Sequence, residues 1–88
     1  MRAVLRILEA EVVGPHVIRV EFNDGIERVV DVRPLLRGPV FEPLHDAAYF
    51  ARAVLDPVCG TVVWPNGADL APEALQALAD ARALSVSA

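Results

Sequence analysis

The stretch Val17-Ile18-Arg19-Val20-Glu21-Phe22-Asn23-Asp24-Gly25-Ile26-Glu27-Arg28-Val29-Val30-Asp31-Val32 decides the fold. From Val17 to Phe22 the residues alternate, with Ile18, Val20 and Phe22 on one side and Val17, Arg19 and Glu21 on the other. That period of two is the signature of a half-buried strand. Asn23-Asp24-Gly25 then marks a hairpin, and two loop lengths compete for it. A two-residue Asp24-Gly25 turn sets Glu21 opposite Arg28, but it also turns Glu27 and Asp31 onto the apolar face. A three-residue loop, Asn23 to Gly25 with a left-handed Gly25, aligns Ile26, Val30 and Val32 with that face and leaves Arg28 as the one intruder. An exposed ion pair contributes roughly 0 to 1 kcal/mol, whereas burying one Val or Ile contributes about 1.5 to 3 kcal/mol. The three-residue register is therefore expected.

Upstream, Ala3 to Val13 is β-rich and reads as a first strand, ended by Gly14-Pro15. Downstream, Arg33 to Pro39 is too broken by Pro and Gly for a regular element, although Pro34 can open one helical turn. Val40-Phe41-Glu42-Pro43-Leu44 reads as an apolar connector. Asp46 is expected to cap, through its carboxylate, a helix of under three turns from Ala47 to Ala51. Ala53 to Asp56 and Thr61 to Trp64 form a second hairpin around Pro57-Val58-Cys59-Gly60, and Pro65-Asn66-Gly67 stops its second strand. From Pro72 the helix formers run to about Leu84, with Leu75, Leu78, Ala79 and Arg82 on one side, and Ser85 to Ala88 fray. The predicted class is α+β. It comprises a short antiparallel sheet of about five strands in two hairpins, one short middle helix and a C-terminal helix, in a single domain over 1–84 with a tail over 85–88.

Composition narrows the chemistry. At 88 residues and 55% hydrophobic the chain supports one core, and no apolar run approaches the roughly 20 residues of a membrane span. Arg6, Glu9 and Glu11 interrupt any signal-peptide pattern, so a cytoplasmic location is expected. The single cysteine, Cys59, excludes an internal disulfide. No lysine is present, which excludes Schiff-base chemistry and a phosphate-loop lysine. Residues 1 to 37 hold six Arg and six acids, residues 38 to 88 two Arg and six acids, so the net charge of −4 lies in the second half. With no basic stripe, direct nucleic-acid binding by the chain alone is not expected.

The strongest candidate site is Trp64-Pro65-Asn66-Gly67-Ala68-Asp69, where Trp64, Asn66 and Asp69 could form a binding rim. The competing structural reading makes Trp64 a core anchor and gives Asn66 and Asp69 to the backbone amides of the turn. His45-Asp46 is a poor acid–base pair, because sequence neighbours rarely converge on one substrate. His16 and His45 lie in different turns with no third ligand at metal spacing, and Cys59 reads as an ordinary surface thiol. No catalytic residue, metal or cofactor is assigned. Arg33 and Arg37 read as solvated arginines that could meet an acidic partner.

Phe22-x-Asp24-Gly25, Val30-Asp31-Val32-x-Pro34-Leu35-Leu36, Val40-Phe41-x-Pro43-Leu44-x-Asp46 and above all Gly60-Thr61-Val62-Val63-Trp64-Pro65-Asn66-Gly67-Ala68-Asp69-Leu70 carry a family resemblance over roughly residues 4 to 78. Together they resemble the small bacterial family catalogued as domain of unknown function 2442. The resemblance implies an α+β fold. It also implies a short protein often encoded beside a second small protein in a toxin–antitoxin-like pair, with a helix-turn-helix domain following in some relatives. The stretch after Leu70 is too short for such a domain, and Ala71 stands where similar sequences place an Asp or Ser cap. The expectation is a protein-interaction module acting on a partner or on itself. The alternatives are an accessory domain that meets nucleic acid only within a larger assembly, and a small-molecule site at Trp64 to Asp69.

Overall fold

A computed structural model describes residues 4–78 and 80. The decisive hairpin closes where Phe22 donates its N–H to Ile26 O at 2.9 Å and Gly25 donates to Phe22 O at 3.0 Å, with Gly25 at φ 89°. The loop is thus Asn23 to Gly25, three residues long, and Ile18 pairs with Val30 and Val20 with Arg28. Hydrophobic register overrides the ion pair: Glu21 stands opposite Glu27, not Arg28. Ile18, Val20, Phe22, Val30 and Val32 are fully buried, but Ile26 lies beside the loop at the tip of the hairpin and remains 43% exposed. The intruding Arg28 reaches into this apolar face, and its Nε is buried with no hydrogen-bond partner among the described residues.

Strands β1 (Ile7–Gly14), β2 (Val17–Phe22) and β3 (Glu27–Asp31) form one antiparallel sheet in that order. β1 begins later than the composition suggests, at Ile7, and continues through Gly14, which pairs with Val17. The turn is therefore Pro15-His16. Proline presets the first corner, and His16 occupies the left-handed region at φ 62°, a conformation that His tolerates better than most residues.

The expected connector from Val40 to Leu44 is instead a 3-10 helix over Pro39–His45, preceded by a shorter one over Arg33–Leu35 with proline in its first turn. The i to i+3 bonds Phe41 N–H to Gly38 O and Asp46 N–H to Pro43 O hold the longer one, a pattern that tolerates Pro43 because bonding is sparse. α1 (Ala47–Phe50) is a single turn, and Asp46 sits at its N-cap position with its carboxylate accepting no cap bond. The expected carboxylate cap therefore does not form, although Asp46 occupies the capping position.

The second sheet contains β4 (Val54–Asp56), β5 (Thr61–Val63) and β6 (Asp69–Leu70), in that order. Six strands in two three-stranded sheets replace the expected five in two hairpins. The extra strand arises because Pro65-Asn66-Gly67 is a hairpin loop, not merely a stop: Leu70 returns opposite Val62 and Asp69 opposite Val63. α2 (Pro72–Gln76) follows at once, starting at an uncapped Ala71 with proline in its first turn. It ends at Gln76, well before the expected Leu84, although 81–84 and the tail 85–88 lie outside the described residues. Both sheets share one core, in which Phe22, Phe50, Leu44, Val62, Trp64, Leu70 and Leu75 meet. They are joined at the start of β1, where Ile7 donates to Gly60 O at 3.0 Å and Arg6 Nη2 to Pro57 O at 2.7 Å. Gly60 has φ 68°, and a Cβ there would lie 2.9 Å from Arg6 Cβ, so glycine lets the two sheets approach.

Candidate functional site

The Trp64 to Asp69 segment is built by a three-residue hairpin loop. Trp64 donates its N–H to Ala68 O at 2.9 Å, Gly67 donates to Trp64 O at 3.0 Å, and Gly67 takes φ 88°. Trp64 is 3% exposed and its indole N–H donates to Phe50 O at 2.9 Å, which supplies the hydrogen bond that a buried indole needs. Asn66 is spent on both sides of its amide. Oδ1 accepts from Ala68 N at 3.1 Å, and Nδ2 donates to Val40 O at 2.9 Å, tying the loop to the 3-10 helix. Asp69 is exposed on β6, and its carboxylate accepts no hydrogen bond from the described residues, so it does not serve the amides of the turn. The three residues singled out in the sequence are therefore close in the chain but point to different tasks. Trp64 faces the core, Asn66 faces the backbone, and Asp69 faces solvent.

The histidines, placed in separate turns by the sequence, come together. His16 and His45 have ring centroids 6.2 Å apart, His16 and Phe50 5.1 Å, and Phe50 and Trp64 5.4 Å, making a row of four aromatic rings. His16 Nε2 lies 3.0 Å from Leu44 O and 3.0 Å from His45 O, and His45 Nε2 lies 3.0 Å from Leu36 O. Carbonyl oxygens only accept, so both Nε2 atoms carry hydrogen and donate. This staples the turn between β1 and β2 to the 3-10 helix. No sequence periodicity links residues 16 and 45, because the juxtaposition comes from the path of an irregular segment across the sheet. Among the described residues no group of three or more His, Cys, Asp and Glu side chains gathers at metal-binding distance.

Other charged residues serve turns or lie on the solvent face of the first sheet. Asp56 Oδ1 accepts from Val58 N at 2.9 Å and Cys59 N at 3.3 Å, and these backbone bonds, Cys59's first, hold its carboxyl below the usual carboxylate range. Asp31 is likewise lowered, chiefly by the Arg33 guanidinium, whose Nη2 lies 2.6 Å from Oδ2. Arg33 is thus engaged with its neighbour, while Arg37 is exposed. Arg19 sits among Glu9, Glu11 and Glu27, with contacts of 3.3, 3.2 and 3.2 Å that raise its pKa, Glu11 contributing most. Cys59 is exposed, as an ordinary surface thiol would be. Among the described residues no helix is long and apolar enough to cross a membrane.

One protein family, described as "Protein of unknown function (DUF2442)", matches residues 7–81. That span contains every strand, both short α-helices and the Trp64 to Asp69 loop. No curated protein and no solved structure matches the chain.

Proposed function

Because the chain belongs to the DUF2442 family, whose description carries no activity, we propose from its surface that it is a protein-interaction module acting in the cytoplasm. Its partner is a separate small protein, paired with it in a toxin–antitoxin-like arrangement. The observation that carries this reading is the placement of exposed apolar side chains along the join between the sheets. Val4 and Leu8 flank the segment bonded to the β4–β5 turn, and Val58, 81% exposed, sits in that turn. Val54 adds a fourth exposed side chain on β4. Isolated surface valines are ordinary, but several on segments held side by side supply apolar area that a partner can cover.

Co-expression with the product of the neighbouring gene, followed by size-exclusion chromatography, tests the proposal. A complex eluting ahead of either protein, and weakened by Val58→Asp, is the expected outcome. Two independently eluting proteins would overturn it.

A further inference from the structure

The backbone of the first sheet has two outer edges, and they are treated differently. Phe22 directs its N–H toward β3, so alternate residues of β2, Glu21 and Arg19 among them, direct theirs toward β1. Their partners Glu9 and Glu11 spend their backbone groups on β2, leaving the N–H and C=O of Ala10 and Val12 directed outward. The same alternation turns Val29 N–H outward on β3, where Asp80 Oδ2 covers it at 3.4 Å. At the start of β1 the outward N–H of Ile7 is taken by Gly60 O. Beyond that point, from Ala10 to Val12, no backbone or side-chain bond covers the edge among the described residues. In the second sheet β4 has three residues and β6 two, too short to template a further strand.

Charge decides what this edge accepts. Glu9 and Glu11, with side chains 62% and 61% exposed, stand on either side of Ala10 and share the Arg19 guanidinium with a third carboxylate. A second copy of β1 is a poor occupant. Antiparallel registers that align Ala10 with itself or with Val12 set Glu9 opposite Glu11, or Glu11 opposite itself, and like charges directly opposite destabilise a ladder. Shifting the register to centre on Val12 runs the second copy into the irregular pairing between Val12 and Gly14 and the Pro15-His16 turn, where the edge no longer continues as a regular strand. A strand with Arg or Lys at every second residue instead meets both carboxylates while its backbone meets Ala10 and Val12.

We infer that the outer edge of β1, from Ala10 to Val12, receives an extended segment of the partner protein bearing basic residues at alternate positions. This rests on the interaction reading above and names the surface and the chemistry of the partner. The edge carboxylates thus serve two ends, repelling further copies of this chain and selecting a basic strand.

The probe is a synthetic nonapeptide of alternating Arg and Val. Its counterpart has the same charge but is N-methylated on the amides that would face β1. Fluorescence anisotropy with the full chain should show the unmodified peptide binding about tenfold or more tightly than the methylated one, as expected for the loss of two or so hydrogen bonds. The amide protons of Ala10 and Val12 should become protected from exchange on binding. Glu9→Lys with Glu11→Lys should transfer the preference to an alternating Glu and Val peptide. Val12→Pro removes an outward N–H without touching the ladder to β2, and should abolish the difference between the peptides. Should that variant not fold, the comparison of the two peptides on the unaltered chain still decides. Equal affinity for both peptides, or protection confined to other amides, would overturn the edge. A partner complex that survives both Val12→Pro and the charge reversal would also remove the edge while keeping the interaction reading. Independent elution of the neighbouring protein would remove that reading itself.

Discussion

The two tight loops of the molecule, Asn23-Asp24-Gly25 and Pro65-Asn66-Gly67, are nearly superimposable in their chemistry and opposite in what they connect. In each an aromatic residue closes the ribbon at 2.9 Å, a glycine at φ 89° or 88° returns a 3.0 Å bond, and a central Asx side chain accepts from the amide two residues on, at 3.0 Å for Asp24 and 3.1 Å for Asn66. The first joins strands of six and five residues. The second joins three residues to two and then runs directly into α2. Their outer attachments differ as well. Asn23 grips the chain before β1 through Arg6 N at 2.9 Å and Val4 O at 2.8 Å, and Asp24 receives Gln76 Nε2 at 2.9 Å. Asn66 reaches Val40 O and Trp64 reaches Phe50 O. A loop of fixed local design is thus used once to extend a sheet and once to lock two irregular segments onto it.

If the aromatic opening each loop is its anchor, Trp64→Ala and Phe22→Ala should each cost about 3–5 kcal/mol in urea unfolding. A marked shortfall at either site would separate the two loops. Trp64→Phe sharpens the contrast by removing one of the two donors to the Phe50 carbonyl, which keeps the Ala53 N–H at 3.2 Å, at a cost of about 0.5–1.5 kcal/mol that has no counterpart at Phe22. Gly25→Ala and Gly67→Ala should each cost about 1–2 kcal/mol, because at both sites the penalty is conformational. The added Cβ meets nothing within 4 Å in either loop, so unequal losses would break the equivalence. Asn66→Asp surrenders the donor to Val40 O and should cost about 1 kcal/mol, whereas Asp24→Asn keeps the acceptor for Ile26, and the Gln76 amide can turn to accept where it donated, so that change should stay within about 0.5 kcal/mol.

The smallest effect concerns pH and the third turn, at Asp56. Asp56 and Asp31 have folded pKa values below the ordinary 3.8, so the stability they contribute is complete above that value and is lost as pH falls through their folded pKa. Melting temperature should therefore hold down to about pH 4 and decline below it. Asp56→Asn should shallow that decline without changing the plateau by more than its lost turn bonds allow.

The same comparison explains what was legible. The first loop could be read because Ile18, Val20, Phe22, Val30 and Val32 repeat the period of two on both sides of it, so burial alone selected the register. After the second loop only Asp69 and Leu70 pair, and two residues carry no period, so β6 was invisible although its loop residues were in plain view. The Trp64 to Asp69 cluster was found as a group, but its division among core, backbone and solvent depends on which way a two-residue strand faces. The meeting of His16 with His45 left no local mark, since a left-handed turn and a 3-10 helix are brought together by the core beneath them. Asp46 shows the converse: the right residue type at the right position did not guarantee the bond.

The bond from Ile7 to Gly60 gives β1 a double membership, since one side of the strand completes the first sheet and the other receives the second. The meander β1 to β3 uses contacts close in sequence and can assemble early, but Ile7 waits for Gly60, 53 residues further along the chain. That nonlocal closure carries the larger entropic cost, and it is expected to follow the meander in folding. Hydrogen exchange at the Ile7 amide would accordingly time the docking of the two halves, while exchange at Phe22 follows the meander by itself.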